Sequence, residues 1–471
     1  MERTKAFDWD QTLIEKRIHD ALVEFLPLFE AFERTGFKLY AVGGCVRDWA
    51  LGRIPKDIDF TTDALPTETK GVLQDNGYPV IPVGEVFGTI ATTIEKKTYE
   101  ITTFRVKESY TRGSRHPVVC YGRDLPLDLE RRDLTINAMA ATKEGQLIDP
   151  FGGLEDLKAG VLRVPRSSYA RSLEIFGDDP LRILRLARFK ARLGFEVSPD
   201  AMRAACDCAG SILSVSRERW FSEIDGLLSA AKPESGLLWL DEIGVLPLIL
   251  PEMALLHRAN PIPDSQIPFS ATGGQPTLWA HVVSHIADVP AQEDFRWCAL
   301  LDSLGYSVCA NGEWAESVTA MLVREICARL KFSTARIESI LRKITPMPDV
   351  VPTYRMAREL AMQLSSDIAS WLTYQSYKLR RYESARRTHE EEVLSRWRLA
   401  LLPYMTHPES IEIRLPKNLS RELSTACGVS GKTLGLYLAH CRDAVLDQLL
   451  SEDDEVEKFV ELCRKDNAIF G

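Results

Sequence analysis

The chain has 471 residues, of which 45% are hydrophobic and 27% charged, and its formal net charge at pH 7 is −9. This length predicts about three or four structural units rather than one. The negative net charge argues against a general nucleic-acid coat, because sequence-independent binding to phosphate depends on an excess of Lys and Arg. Any contact with a nucleic acid must therefore be local.

The N-terminus and the cysteines bear on cellular location. The sequence contains no run of about 18 apolar residues, and its first residues lack the apolar core of a signal peptide. Its ten cysteines do not have the spacing of a disulfide framework, and the pair Cys206 and Cys208 is too isolated to chelate zinc. We therefore predict a cytoplasmic protein with reduced thiols and no membrane segment.

The chain divides into two regions of different periodicity. Between 37 and 150, short apolar runs such as KLYAVGG, IDFTT, TIATTIE and YEITTFR alternate with turn signals and predict a small sheet. After about residue 165, apolar residues recur at helical spacing, with no strand pattern. The predicted class is α+β, a small mixed-sheet head followed by an all-helical remainder. Pro and Gly clusters at 259–276 and 345–353 are candidate loops or linkers.

The segment from Tyr40 to Thr62, YAVGGCVRDWALGRIPKDIDFTT, begins with a phosphate-binding pattern. Gly43 and Gly44 follow a predicted strand and precede a predicted helix, where free backbone amides favour an anion. Arg47 would lie one turn into that helix, and its guanidinium suits bidentate contact with triphosphate oxygens. These residues predict a site for a nucleotide's phosphates.

The same segment ends with a pair of carboxylates. Asp57 and Asp59 are separated by one residue in KDIDF, so a strand would place both on one face. Two adjacent carboxylates repel each other unless a cation lies between them, and hard oxygen ligands suit Mg²⁺. Two such ions can activate a hydroxyl and stabilise a leaving pyrophosphate. The alternative, a pair of exposed loop aspartates, is weakened by the upstream GGxxRD pattern.

The order of these and later motifs resembles the class II tRNA nucleotidyltransferases, the family of bacterial CCA-adding enzymes and bacterial poly(A) polymerases. The resemblance rests on five ordered segments, strong up to about residue 230 and looser afterwards. They are GGCVRD with LGRIPKDIDF (Gly43 to Asp59), EITTFR (Glu100 to Arg105), RRDLTINAMA (Arg131 to Ala140), DDPLRILRLARFKARLGF (Asp178 to Phe195) and SRERWFSEIDGLL (Ser216 to Leu228).

The resemblance implies a domain organisation. It predicts a polymerase-beta-like nucleotidyltransferase head at 1–163, a helical neck with a nucleotide-selecting helix at 164–230, a helical body at 231–345 and a tRNA-binding helical tail at 346–471. In the tail, a turn between Gly428 and Gly431 opens a helix whose amides would meet an RNA phosphate, unless the turn is only a packing element.

The resemblance also implies roles for named residues. Arg132 matches the arginine that contacts the incoming nucleotide, as an alternative to a structural ion pair, while Asp133 and Asn137 order the adjacent turn. Glu100 is a candidate third carboxylate or a structural residue. The segment between Thr103 and Arg131, rich in Gly, Ser and Pro, resembles a mobile loop whose full length favours complete CCA addition.

The row Asp179, Arg182, Arg185 and Arg188 is spaced by three, which predicts one ridge along a helix. A carboxylate accepts from an exocyclic amine, which C and A have where U and G have a carbonyl. By resemblance Asp179 and Arg182 read the base, and Arg185 and Arg188 assist. A salt-bridged helix face is the alternative. The family usually has Glu where this chain has Asp178, which makes addition of both bases less secure.

Residues 281 to 345 are similar in layout to an HD phosphohydrolase region, but its defining His-Asp is missing. The chain has Asp302 and Ser303 in its place, so we predict no phosphatase activity. His281 and His285 are one turn apart and are interpreted as ordinary helix residues rather than metal ligands.

The predicted function is template-independent addition of CCA, from CTP and ATP, to the 3′ end of tRNA with Mg²⁺ as cofactor. CC-only addition, A-only addition and a poly(A) polymerase share this chemistry, and the acidic pI near 5.6 disfavours the last. A catalytically silent RNA-binding protein is the alternative from another class. The oligomeric state stays open.

Overall fold

The computed structural model describes residues 9–82, 84–110, 117–258, 278–308, 316–380 and 384–465. The chain forms two compact units, Met1–Ala254 and Leu255–Gly471. The first unit combines a mixed sheet with helices, and the described residues of the second are helical outside their loops. The predicted α+β class with a helical remainder is confirmed. The division into head, neck, body and tail stays a prediction.

The main sheet has six strands within the described residues. All strands of the described residues, including the two-stranded pairs β5–β6 and β9–β10, are β1 (Leu39–Val42), β2 (Asp59–Thr62), β3 (Thr89–Ile94), β4 (Lys97–Thr103), β5 (Arg105–Tyr110), β6 (Pro117–Tyr121), β7 (Ala140–Ala141), β8 (Leu147–Ile148), β9 (Val161–Leu162) and β10 (Glu196–Val197). The sheet order is β3-β4-β2-β1-β7-β8. Strands β2 and β4 are parallel and the other neighbours antiparallel, so the sheet is mixed. The four runs predicted as strands are β1 to β4.

The helices of the chain alternate with these strands and then continue without them. They are α1 (Gln11–Leu22), α2 (Leu26–Arg34), α3 (Gly44–Ala50), α4 (Pro66–Asp75), α5 (Leu125–Glu130), α6 (Gly153–Ala159), α7 (Tyr169–Asp178), α8 (Leu181–Leu193), α9 (Pro199–Asp207), α10 (Arg217–Leu228), α11 (Pro233–Glu242), α12 (Leu246–Ile249), α13 (Met253–Arg258), α14 (Leu278–Asp288), α15 (Phe295–Val308), α16 (Glu316–Arg329), α17 (Thr334–Ile344), α18 (Tyr354–Leu364), α19 (Ile368–Leu379), α20 (Ser384–Thr406), α21 (Leu419–Cys427), α22 (Gly431–Leu446) and α23 (Val456–Lys465). No described helix is both long and apolar enough to cross a bilayer.

An aromatic cluster anchors the N-terminal helices to the sheet. Phe25 lies edge-on to Phe60 of β2 and to Tyr99 of β4, with ring centroids 5.2 Å and 4.9 Å apart. Phe29 of α2 contacts the same Phe60 ring at 5.8 Å. Such edge-to-face pairs add to the stability that burial of apolar surface provides. The cluster fixes β2, and with it the end of the strand at which the predicted carboxylates lie.

The segment after β4, expected to be a loop, contains regular structure on both sides of its centre. Strands β5 and β6 pair antiparallel, and α5 follows them. Residues 111–116 lie outside the described residues, and with them the centre of the expected loop. Residues 111–116 include Gly113 and Ser114, whereas the flanking residues 105–110 and 117–121 include the β-branched Val106, Val118 and Val119.

The helix predicted from Asp178 is two helices. Helix α7 ends at Asp178 and α8 begins at Leu181, and Asp179 between them is extended, with φ −146° and ψ 97°. The cause is Pro180, because a proline disfavours helical backbone in the residue before it. Asp179 therefore precedes the ridge of α8 instead of lying on it, a correction to the prediction of one continuous row.

The neck region departs from the all-helical prediction at one point. The two-residue strand β10 pairs parallel with β9, and the Ser198 amide donates to the Leu162 carbonyl at 2.9 Å. Two residues are too few to show an alternating pattern. Helix α11 packs closely on α8 because Gly236 has no side chain: a Cβ there would lie 2.7 Å from the Ala187 carbonyl oxygen.

The second unit is a succession of packed helices. Helices α21, α22 and α23 share an apolar core that includes Leu423, Tyr437 and Phe459. Helix α22 begins at Gly431, as predicted. The predicted loop at 345–353 lies between α17 and α18, and the linker at 259–276 falls outside the described residues. No disulfide joins cysteines in the described part of the chain.

Candidate active site

Three carboxylates lie together at the start of β2. Asp59 is the first residue of β2, Asp57 precedes it by two, and Glu100 is the register partner of Asp59 on the parallel strand β4. Register partners on neighbouring strands project from the same face of the sheet. All three residues are exposed. The structure thus places Glu100, the candidate third carboxylate, beside Asp59.

The charges around Asp59 are mainly negative. Its pKa is raised above the ordinary value, first by partial removal from water and then by the Glu100 and Asp57 carboxylates, while Arg132 opposes the shift. A carboxylate in this setting gains stability from a nearby cation. No set of three His, Cys, Asp or Glu side chains in the described residues is already arranged as a metal-binding group.

Gly43 makes the turn from β1 into α3 and lies next to Arg132. Its backbone has φ 81° and ψ −126°, a conformation that residues with a side chain rarely adopt. Its amide donates to the Met139 carbonyl at 3.0 Å, and a Cβ at this position would lie 3.1 Å from Nη1 of Arg132. The glycine therefore brings the backbone against the guanidinium that faces Asp59.

Asp128 of α5 holds Arg132 in this position. Its Oδ2 accepts from Arg132 Nη2 at 3.0 Å, and its Oδ1 accepts from Arg131 Nη2 at 2.8 Å and from the Arg105 amide at 3.0 Å. Burial is the largest influence on the pKa of Asp128 and would raise it, but the two arginines and the hydrogen bonds together lower it to about 2. The carboxylate is fully buried. It connects Arg132 to the base of the β5–β6 ribbon.

Arg47 lies in the interior, where its guanidinium binds other side chains. Nε and Nη2 lie 2.9 Å and 2.8 Å from Asp48 Oδ1, and Nη1 donates to Asn137 Oδ1 at 2.5 Å. Only 2% of the residue is exposed, and burial lowers its pKa. Its guanidinium also lies 5.3 Å from the centre of the Phe189 ring. In this structure Arg47 joins α3 to the Asn137 turn and to α8, so its predicted phosphate contact stays untested.

Asp133 connects the Arg132 turn to α8. Its Oδ1 accepts from the Leu134 amide and from Asn137 Nδ2, at 2.9 Å and 3.0 Å. Its Oδ2 accepts from Arg185 Nε at 2.8 Å, with Arg185 Nη2 at 2.7 Å. Burial would raise the pKa of Asp133, but Arg185 and these hydrogen bonds hold it well below the usual range. The contact between Asp133 and Arg185 is a charge-assisted hydrogen bond, which is stronger than one between neutral groups.

Side chains of α10 form ion pairs with the arginines of α8 and with Asp179. Glu223 Oε2 lies 2.8 Å from Arg188 Nε, and Glu223 Oε1 lies 3.8 Å from Arg185 Nη1. Asp179 is bound by Arg219, whose Nη2 donates to Oδ2 at 2.7 Å. Arg182 Nη1 donates to the Ile175 carbonyl oxygen at 3.5 Å. The salt-bridged helix face weighed as an alternative is therefore present. The base-reading role of Asp179 and Arg182 stays a prediction.

Sequence reasoning missed the partners that hold this site. Asp128 is four residues before Arg132, a helical ion-pair spacing that could have identified it. Arg219 and Glu223 were quoted within a family segment without a role. Asp48 also binds Arg192 of α8 at 3.2 Å, and no local pattern indicates that contact because 144 residues separate them.

In the HD-like region, Asp302 stands in place of the missing histidine and forms an ion pair with Lys378. Asp302 of α15 is buried and lies 2.8 Å from Lys378 Nζ, and it accepts from the Tyr374 hydroxyl at 3.2 Å. His281 and His285 are buried on α14. A lysine ammonium beside Asp302 supplies positive charge at this carboxylate, and the absence of phosphatase activity stays a prediction.

Comparison with known proteins gives a consistent set of relatives. Residues 39–163 match the poly A polymerase head domain, and residues 194–256 match the probable RNA and SrmB-binding site of polymerase A. A CCA-adding enzyme of Lactococcus lactis is 35% identical over 285 residues, 60% of this chain and 69% of the relative. A CCA-adding enzyme of Streptococcus gordonii is 38% identical over 252 residues, 53% of this chain and 61% of the relative.

A solved structure extends the likeness over nearly the whole chain. The Bacillus stearothermophilus CCA-adding enzyme in complex with CTP has a TM-score of 0.67 at 22% identity, covering 96% of this chain and 99% of that one. This likeness concerns the fold. The sequence matches span between about three fifths and about seven tenths of the two curated relatives.

Proposed function

Because this chain belongs to the class II tRNA nucleotidyltransferases, the family of CCA-adding enzymes and poly(A) polymerases, we propose that it adds C, C and A from CTP and ATP to the 3′ end of tRNA. The tRNA 3′ oxygen forms a bond to the α-phosphorus, the bond to the β-phosphate oxygen breaks, and pyrophosphate leaves. The observation that carries the proposal is the placement of Asp59 beside Glu100, near Arg132.

Asp57 and Asp59 would hold the cofactor Mg²⁺, with Glu100 as the third carboxylate. These three carboxylates fit Mg²⁺ because they offer only hard oxygen atoms. They also concentrate negative charge, which contributes to the raised pKa of Asp59. Bound Mg²⁺ lowers the pKa of the attacking hydroxyl and neutralises the departing pyrophosphate. The protein's own contribution is to keep the three carboxylates on one sheet face.

The residues around the carboxylates would hold the nucleotide. Arg132, oriented by Asp128, would bind the triphosphate, and the Gly44 amide at the start of α3 would add a backbone donor. Arg47 would keep the Gly44 amide and the Arg132 turn in place through its hydrogen bonds to Asp48 and Asn137.

The base would be selected by the residues around α8. Asp179 and Arg182 would contact its edge, while Arg185 and Arg188 keep α8 in place through Asp133 and Glu223. The 164–230 region would thus act as the neck, next to the head at 1–163. The body at 231–345 would begin in the first unit and continue into the second, which would also contain the tail at 346–471, with the tail binding tRNA. A cytoplasmic location follows from these substrates.

An incorporation assay tests the proposal. A tRNA transcript without its CCA end is incubated with Mg²⁺ and each labelled nucleotide in turn, and then with CTP and ATP together. Three added nucleotides support CCA addition, whereas two C, one A on a CC-ending transcript, or a long tail identifies a CC-adding enzyme, an A-adding enzyme or a poly(A) polymerase. No incorporation, with retained tRNA binding, would indicate a silent RNA-binding protein.

A further inference from the structure

Two cysteines face each other in the apolar core that α21, α22 and α23 share. Cys441 of α22 and Cys463 of α23 are both fully buried, and their Sγ atoms lie 3.4 Å apart, within hydrogen-bonding distance for thiols. The two residues are 22 positions apart in the sequence, so the packing of α22 against α23 brings them together. Both side chains are in the reduced form.

A third cysteine lies at the edge of the same core. Cys427, the last residue of α21, is partly exposed and packs against the buried cluster that contains Cys441 and Cys463. The core is otherwise apolar and aromatic, with Leu423 and Phe459 among its buried members. A single buried cysteine serves there as a small apolar residue, whereas two thiols in contact can also be oxidised to a disulfide.

We propose that Cys441 and Cys463 form a dithiol modification site, at which a hydroperoxide oxidises the pair to a disulfide that holds α22 and α23 together. A disulfide requires sulfur atoms about 2 Å apart, so the two side chains must rotate toward each other from their separation of 3.4 Å. The site belongs to the second unit and does not depend on the proposed function.

The reaction consumes one peroxide for each pair of thiols. With hydrogen peroxide, one cysteine sulfur attacks a peroxide oxygen, the O–O bond breaks, and a sulfenic acid and water are formed. The sulfur of the second cysteine then attacks the sulfenic sulfur, the S–O bond breaks, and the oxygen leaves with the thiol proton as a second water. The two cysteines lose two electrons and two protons in total, and the peroxide accepts them.

The surroundings of the pair determine the rate and the product of this oxidation. The hydrogen bond with Cys463 and burial raise the pKa of Cys441 above its ordinary value, so the reactive thiolate is scarce and the reaction is slow. After one sulfur is oxidised, the other is already next to it, which favours disulfide formation over further oxidation to a sulfinic acid. We therefore expect a single product, the disulfide.

Peptide mapping of the oxidised full-length chain tests the site. The reduced protein is treated with hydrogen peroxide, the remaining thiols are alkylated after denaturation, and the digested peptides are identified by mass spectrometry. We expect a disulfide between Cys441 and Cys463 that dithiothreitol releases and that is lost in C441S and in C463S. The control C206S removes an exposed cysteine of the first unit and should leave the yield of this disulfide unchanged.

Hydrogen exchange measures the effect of the disulfide on the helices. In the oxidised wild type, the amides of α23 should exchange at least about 10-fold more slowly than in the reduced protein, because a helix tied covalently to its neighbour opens less often. In C441S, peroxide should leave the exchange of α23 unchanged. Equal exchange in the oxidised and reduced wild type would show that the disulfide does not hold the helices together.

The wild-type map decides the question even when C441S or C463S fails to fold. Oxidation of the exposed Cys206 shows that the dose of peroxide was sufficient. Alkylated Cys441 and Cys463 in the same sample would then exclude the site. A disulfide between Cys427 and Cys463, or sulfinic acids in place of the expected disulfide, would also overturn the proposal.

Discussion

Asp59 and Glu100 are direct register partners on the parallel strands β2 and β4, which brings together two carboxylates that are 41 positions apart in the sequence. The pairing raises the pKa of Asp59 beyond the effect of burial, and Asp57 adds to it. Such a group of like charges gains stability from a bound cation, which supports the proposed Mg²⁺ site.

The first prediction concerns Asp59, the carboxylate proposed to bind Mg²⁺. D59N removes one negative charge with little change of shape, so the fold should persist while kcat for CTP incorporation falls by about 100-fold or more. The exposed Asp75 at the end of α4 provides the control D75N, which should behave as wild type. Incorporation at wild-type rate by folded D59N would remove Asp59 from the mechanism.

The Gly43 turn can be tested with a matched glycine. G43A places a Cβ 3.1 Å from Arg132 Nη1 and strains the positive φ of 81°, whereas G36A strains a similar φ of 82° in open space. Both changes should lower the free energy of unfolding by about 1 to 3 kcal/mol. Only G43A should raise KM for the nucleotide, because only it displaces Arg132. Equal KM values in the two variants would contradict this.

Asp128 should stabilise the protein in a pH-dependent way. The pKa of Asp128 is about 2 in the folded protein, below its usual value of 3.8, so the ionised form contributes about 2 kcal/mol to folding at neutral pH. Because the folded pKa is depressed, this contribution is complete above about pH 5 and is lost as the pH falls through about 4 to 2.

Urea denaturation of the wild type and of D128N checks this pH dependence. Their difference in free energy of unfolding should be constant from pH 7 to pH 5 and should narrow below pH 4. Asp200, whose side chain is 38% exposed, provides the control D200N, which should show no such change. A difference between wild type and D128N that is independent of pH would show that charge is not the source of the stabilisation.

The close approach of α8 and α11 predicts opposite effects of two alanine substitutions. In G236A the new Cβ would lie 2.7 Å from the Ala187 carbonyl oxygen and 2.9 Å from Leu227, which should destabilise the first unit by about 1 to 3 kcal/mol. In α4, G71A meets no atom within 4 Å and should stabilise by up to about 1 kcal/mol through helix propensity. Thermal unfolding midpoints measure both effects. An unchanged midpoint for G236A would contradict the packing argument, and a lower midpoint for G71A would contradict the argument from helix propensity.

The sequence predicted the parts of the site that depend on local periodicity. Strands β1 to β4, the Gly43 turn and the start of α22 at Gly431 follow from patterns a few residues long. The break at Pro180 was within reach of the same reasoning, since a proline restrains the residue before it, but the regular spacing of the arginines favoured one helix.

The remaining features depend on contacts between distant segments. The Arg47 guanidinium was predicted to face phosphate because its neighbours resemble a phosphate loop, whereas its partner Asn137 is 90 residues away. Asp48 with Arg192, and Asp179 with Arg219, are likewise invisible to a short pattern. A single sequence shows which side chains carry charge, but the pairing between them is fixed only when the helices pack.

The link between Asp133 and Arg185 limits how this chain can be recombined with its relatives. The Asp133 carboxylate connects the Arg132 turn to Arg185 of α8, and Glu223 of α10 contacts the same arginine. In a hybrid protein that receives α8 alone, the arginines of the grafted helix would face the acidic residues of the recipient. Exchange of nucleotide preference by grafting should therefore succeed when α8 and α10 are transferred together into a recipient that keeps an aspartate at position 133.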